Sequence, residues 1–134
     1  MKKIIIGLLV VVSLISACSH SAEVNKRDPL ESGRGFIEST LKGDFDEAQK
    51  YLLQDSVNME YFNMYKDFNS GRSKEEKEGY KNANIIIDST QNLSDSVSII
   101  TYSNTFKNKP SKIKLVKKNN DWLVDFKYTF NNNM

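Results

Sequence analysis

Cys18 and His20 are the single thiol and the single imidazole of the 134-residue chain, and both fall within "LISACSH", residues 14–20. These side chains are the usual agents of nucleophilic attack, proton transfer near neutral pH and transition-metal binding. Everything from residue 21 onward must therefore do without a Cys–His couple or an imidazole-ligated metal. Oxygen donors remain, but "DFDE" at 44–47 and "KEEKE" at 74–78 lack the alternating ligands and the glycine of a calcium loop. Both read as helix starts, and neither a metal nor a cofactor is expected. The carboxylates of the strand-rich C-terminal half that could do general acid–base work are Asp88, Asp95, Asp121 and Asp125. Tyr51, Tyr61, Tyr65, Tyr102, Trp122 and Tyr128 combine apolar bodies with polar tips and are the candidates to line a pocket of mixed character.

The N-terminus explains the cysteine. Residues 1–17 begin with Met1, Lys2 and Lys3 and continue with an apolar run from Ile4 to Ile15 broken only by Gly7 and Ser13. Small residues then lead up to Cys18. That is the anatomy of a secretory signal, and a run of 12 positions falls short of the roughly 20 apolar residues needed to span a bilayer. Ile15, Ser16 and Ala17 followed by Cys18 resemble the lipobox of bacterial lipoproteins. In that family a diacylglyceryl group is placed on the thiol and the chain is cut before the cysteine. One acyl chain binds a membrane only reversibly, with a constant near ~10⁴ M⁻¹, whereas two or three make a stable anchor. Cys18 is thus read as a tether to the membrane, with no thiol left for a disulfide. The resemblance implies a cell-envelope location. Ser19, in place of the aspartate that retains some lipoproteins at the inner membrane, makes the outer membrane the expected site, with a Gram-positive surface left open.

The formal charge of +2 comes from Lys2 and Lys3, since residues 18–134 carry 17 basic and 17 acidic groups. Balanced charge supplies no general attraction to nucleic acid. A local excess remains in the C-terminal half, where Lys107, Lys109, Lys112, Lys114, Lys117, Lys118 and Lys127 face only Asp121 and Asp125. Alternation of Lys112 and Lys114 with Ile113 and Leu115 reads first as a solvated strand face. The competing reading is a surface for anionic lipid or an acidic partner.

Residues 18–27 form a polar tether, and a single domain is expected over 28–130, with a disordered tail at 131–134. Asp28, Pro29 and Glu31 make a three-part helix start, with Leu30, Gly33, Ile37 and Leu41 on one face and Gly43 as the stop. Asp44 and Glu47 start a second helix that buries Phe45, Ala48 and Leu52, with Tyr51 on its flank. In "SVNMEYFNMYKDF" the apolar spacing of Val57, Tyr61, Met64 or Tyr65, and Phe68 predicts a third helix packed by that stripe. "NSG" at 69–71 ends it, and Ser73 with Glu76 starts a short fourth turn.

Beyond Tyr80 the period changes to two, predicting strands over about 83–91, 96–106, 111–118 and 122–130. In the last, Trp122, Val124, Phe126, Tyr128 and Phe130 share one face, leaving Leu123, Asp125, Lys127 and Thr129 on the other. "KNND" at 118–121 predicts a tight hairpin.

Helices followed by an antiparallel meander define an α+β class, with N-terminal helices packed on a curved four-stranded sheet. The lipobox, "KGDFDEAQKYL" at 42–52 and "KIKLVKKNNDWLVDF" at 112–126 together resemble the bacterial lipoproteins grouped as domain of unknown function 4878. That group belongs to the nuclear-transport-factor-2-like, or cystatin-like, superfamily. The resemblance implies a sheet wrapped around helices as a cone with a hollow. Enzymes of that superfamily, such as ketosteroid isomerase, work through acids inside the hollow. Asp95 and Asp121 fall in turns here, and Asp88 and Asp125 alternate with apolar neighbours. The expected function is therefore non-catalytic binding of a small apolar molecule or an envelope protein. An isomerase or hydrolase is the alternative, and a purely structural or inhibitory partner is the third reading.

Overall fold

Asp28 caps the first helix as its spacing predicts, accepting the Glu31 N–H at 3.0 Å, with Pro29 at the first helical position. In the computed structural model, which describes residues 26–132, this helix α1 runs Pro29–Lys42. The leader, the lipobox and Cys18 lie outside the described residues. Gly43 stops α1 in the left-handed conformation at φ 75°, where its N–H reaches the Ser39 and Thr40 carbonyls. Asp44 caps α2 (Phe45–Gln49), Asp55 caps α3 (Ser56–Ser70) and Ser73 caps α4 (Lys74–Lys81). Four antiparallel strands follow in the order they occur, β1 (Ile85–Ser94), β2 (Val97–Asn104), β3 (Ser111–Lys118) and β4 (Asp121–Val124). A last helix α5 covers Phe126–Asn132. The molecule is α+β, with an open four-stranded sheet.

α1 lies directly on the sheet. A Cβ at Gly33 would come within 2.5 Å of the Ile100 side chain, so the missing side chain is what lets helix and strands meet. The core gathers around this contact. Phe36 and Ile37 of α1, Phe45, Ala48 and Leu52 around α2, and Phe62 of α3 meet Ile100, Ile113, Leu115, Trp122, Val124 and Phe126.

The β3–β4 turn uses Asn119 and Asn120 at φ 52° and 66°, the pair of left-handed residues that a two-residue hairpin of matching twist requires. Asn120→Gly should therefore raise the urea midpoint by an amount worth about 0.5–1 kcal/mol. Asn120→Val should lower stability by about 1–2 kcal/mol, because a branched side chain is strained there.

Two expectations fail. The final strand stops at Val124 rather than near residue 130, and Phe126–Asn132 is helical, reaching into the segment expected to be a disordered tail. Asp125, expected on the strand face opposite Trp122, is buried. The turn into α5 is enforced from elsewhere. The buried Asn58 side chain of α3 accepts the Lys127 N–H at 2.8 Å, and Phe126 enters a ring cluster with Phe36, Phe62 and Tyr65. The second failure concerns α3. Its inward face carries Asn58 and Phe62 with half-buried Tyr65, while Val57, Met64 and Phe68 are exposed. The observed face is displaced by one residue from the most apolar stripe, a rotation of about 100°.

The two sheet edges differ. β4 is short, and the segment after α2 covers it, with the Leu53 N–H on the Val124 carbonyl at 3.0 Å and the Val124 N–H on the Tyr51 carbonyl at 2.8 Å. β1 has β2 on one side alone.

Candidate functional site

The meander gives the domain two ends. The turns at 95–96 and 119–120 lie at one, and the 105–110 connection lies at the other with the start of β1, an eight-residue strand or about 26 Å away. The chain enters at the turn end. The Lys26 carbonyl accepts the Trp122 N–H at 2.7 Å, and its ammonium is 3.1 Å from Asp121, so the last residues of the expected tether are pinned there.

At the far end a row of rings and cations assembles from α3, α4 and the β2–β3 connection. Arg72, just past the end of α3, holds its guanidinium carbon 4.3 Å from the centre of the Tyr80 ring, 5.1 Å from Phe68 and 5.8 Å from Tyr65. Tyr80 meets Phe106 edge-on at 5.0 Å, and the Lys107 ammonium lies 4.9 Å from the Phe106 ring. Each part has a local cause. The Asn104 side-chain oxygen accepts the Phe106 and Lys107 N–H groups at 3.1 and 3.0 Å, which folds the connection back toward α4. Gly79 leaves the space into which the Phe106 ring fits, since a Cβ there would fall 2.4 Å from it. The Lys77 ammonium donates to the Ser70 carbonyl at 2.8 Å, holding α4 to the end of α3.

Below the row, Tyr65 and Tyr102 come close enough to Tyr80 to influence one another's ionisation. Burial pushes the Tyr65 phenol above its usual range, partly opposed by the neighbouring Arg72 charge and hydrogen bond. Burial also drives the Tyr102 phenol far up, with Tyr65 and Tyr80 adding to the effect. Phenols are neutral hydrogen-bonding groups at pH 7 already, and burial moves these two further from ionisation. Arg72 donates to the Asn69 side-chain oxygen at 2.8 Å, and among the described residues no carboxylate lies within 4 Å of it. A permanent cation, neutral phenols and exposed rings can bind. They offer no base of matched pKa for proton abstraction.

Of the nominated pocket residues, Tyr65 and Tyr102 meet here and the others do not. Tyr51 lies against the backbone of Gly35. Tyr61 is half-buried at the edge of the core. Trp122 is buried, its carbonyl taking the Ser32 hydroxyl at 2.6 Å. Tyr128 sits by Lys114, whose ammonium is 5.8 Å from its ring. Arg72, Tyr80 and Phe106 complete the group without having been nominated.

Space between the helices and the sheet is occupied by rings. Phe62 touches Phe36, Phe45 and Phe126 at centroid distances of 6.1, 5.9 and 5.9 Å, and Tyr65 meets Phe45 and Phe126 at 5.9 and 5.6 Å. Two shallow cavities of about 270 and 350 Å³ adjoin beside the C-terminus of α1, sharing Leu41, Lys42 and Lys81. A second polar group lies at the other flank. Asn58 donates to Asp55 at 2.8 Å and to Asp125 at 3.2 Å, while Lys114 and Lys127 approach the Asp125 carboxylate to 3.4 and 3.2 Å. The basic cluster of the C-terminal half is thereby divided, since Lys107 pairs with Glu76 at 3.7 Å and Lys114 and Lys127 with Asp125.

Among the described residues no helix is long and apolar enough to cross a membrane, and no group of three acidic, Cys or His side chains is placed to hold a metal ion. No family model, curated protein or solved structure matches the chain.

Proposed function

We propose that this chain is a lipid-anchored bacterial envelope protein, held at Cys18, whose domain binds its target through the Arg72 end and does not transform it. The supporting observation is polarity of layout. The entry of the chain is pinned beside Asp121 and Trp122, and the ring-and-cation row lies at the opposite end of the strands. A tether at one end presents the other outward, so the row faces the periplasm or the exterior. The resemblance to domain of unknown function 4878 belongs to the same proposal. In it the sheet is a nuclear-transport-factor-2-like cone whose hollow is plugged by Phe36, Phe45, Phe62 and Phe126, leaving its Tyr102 rim for recognition. The isomerase or hydrolase alternative needs a carboxylate free to take a proton. The buried Asp125 is instead engaged by Asn58, Lys114 and Lys127.

Two measurements test this reading. Cys18→Ala should move the protein from the membrane fraction to the soluble envelope fraction, with the outer membrane as the wild-type location. Native mass spectrometry of the full protein extracted from envelopes should show a retained molecule that is lost when Phe68 and Phe106 are both changed to Ser. Identical spectra for the two proteins would overturn the assignment of the binding end.

A further inference from the structure

Resting on the binding reading above, we infer that Arg72 anchors a carboxylate carried on a flat apolar body, the aromatic acids being the simplest members of that class. Arg72 is half-buried, and a charge partly withdrawn from water gains from a carboxylate partner. Here its neighbours are the neutral Asn69 amide, the Tyr65 phenol and three aromatic rings. Ring faces stabilise a cation but accept none of its N–H groups in the plane of the guanidinium. A guanidinium carries five such donors, so with Asn69 and the Tyr65 phenol engaged there are still donors for a planar two-oxygen acceptor.

The surroundings define what the carboxylate is attached to. A carboxylate paired with the fork brings the rest of its molecule among the rings whose centres lie within 5.8 Å of the guanidinium carbon. The nearest of those rings are Phe68, 65% exposed, and Tyr80, with Phe106 edge-on to the latter and 38% exposed. A flat apolar body gains contact there, whereas a strongly hydrated one gives up water for nothing. Tyr65 and Tyr102 are phenols, uncharged near pH 7 in any case and moved further from ionisation by burial, and add no competing negative charge. Lys107 at the end of the row is partly neutralised by Glu76, and the Lys77 ammonium is held on the Ser70 carbonyl, so Arg72 is the cation set among the rings.

The test is a titration of the purified full chain with benzoate, acetate and benzamide, followed through the Arg72 side-chain N–H signal and the ring signals of Tyr65 and Tyr80. Benzoate should saturate these signals. Acetate, which has no ring, and benzamide, which has no charge, should each bind about tenfold or more weakly. Arg72→Gln should reduce benzoate affinity by about tenfold or more, and Arg72→Lys, which keeps the charge without the fork, should fall between. Unchanged backbone spectra and melting of the Arg72→Lys protein separate binding from folding. Equal binding of benzoate and benzamide, undiminished benzoate binding by Arg72→Gln, or no saturable benzoate signal would each overturn the anchor. If the Phe68 and Phe106 variant still loses a copurifying molecule in that case, the binding reading survives and this assignment alone falls.

Discussion

Phe62→Ala should lower the unfolding free energy by about 3–5 kcal/mol, while Met64→Ala, two positions along the same helix, should change it by no more than about 0.5 kcal/mol. Phe62 is 1% exposed and touches Phe36, Phe45 and Phe126, so truncation removes the hub of a ring cluster joining α1, α2, α3 and α5. The cavity cannot collapse easily, because each of its walls is a large ring held on a different helix. Met64 is 49% exposed, and Ala is a better helix former than Met, so little is lost there. Urea unfolding of the two variants measures the difference directly. Equal losses would mean that α3 presents the Val57, Met64 and Phe68 stripe to the core, and the described rotation of that helix would be wrong.

That contrast shows where the amino-acid pattern leads and where it stops. The caps at Asp28, Asp44 and Ser73, the stop at Gly43 and the Asn119–Asn120 turn are decided by hydrogen bonds within a few residues, and all were legible. The orientation of α3 was not. Val57, Met64 and Phe68 of its apolar stripe stay outside and Tyr61 and Tyr65 only half-enter the core, while a buried Asn sits on the inward face because that Asn serves a distant segment. The same distant partnership defeats the alternation of Trp122, Val124, Phe126, Tyr128 and Phe130. A period of two persists in the letters beyond Val124, yet the Asn58 acceptor and the ring pocket for Phe126 make a helix the better state for residues 126–132. Tertiary contacts override local preference where the local signal is only alternation.

For the far-end site, Tyr65 and Tyr102 could be nominated by type but not by place. Tyr65, Phe68 and Arg72 are spaced three and four apart, which puts them on one side of a helix or its continuation, so part of the row was readable. Tyr80 and Phe106 join only through the packing of Phe106 on Gly79, and no spacing rule links residues 26 apart.

Asn58→Ala is the second large effect, and it tests whether the polar group beside α5 acts as one unit. The fully buried Asn58 side chain makes three bonds, donating to Asp55 and Asp125 and accepting from the Lys127 N–H. Ala leaves that N–H without its acceptor at the start of α5 and takes one donor from a buried carboxylate. The Asp125 carboxylate is buried and the Lys127 N–H partly so, and leaving them short of partners costs about 2–4 kcal/mol in all. For a domain of this size that corresponds to a fall in Tm of roughly 8 °C or more. Asp125→Asn should also destabilise, because Lys114 loses its carboxylate and Lys127 keeps only the longer contact to Asp55 at 3.9 Å, though both ammoniums are partly exposed and can rehydrate. If the group is a unit, the double variant costs less than the sum of the two singles by about 1–2 kcal/mol, since removing the charge relieves what losing Asn58 exposed. Additive losses within about 0.5 kcal/mol would instead make Asn58 a simple helix cap for α5 and Asp125 an independent ion-pair partner.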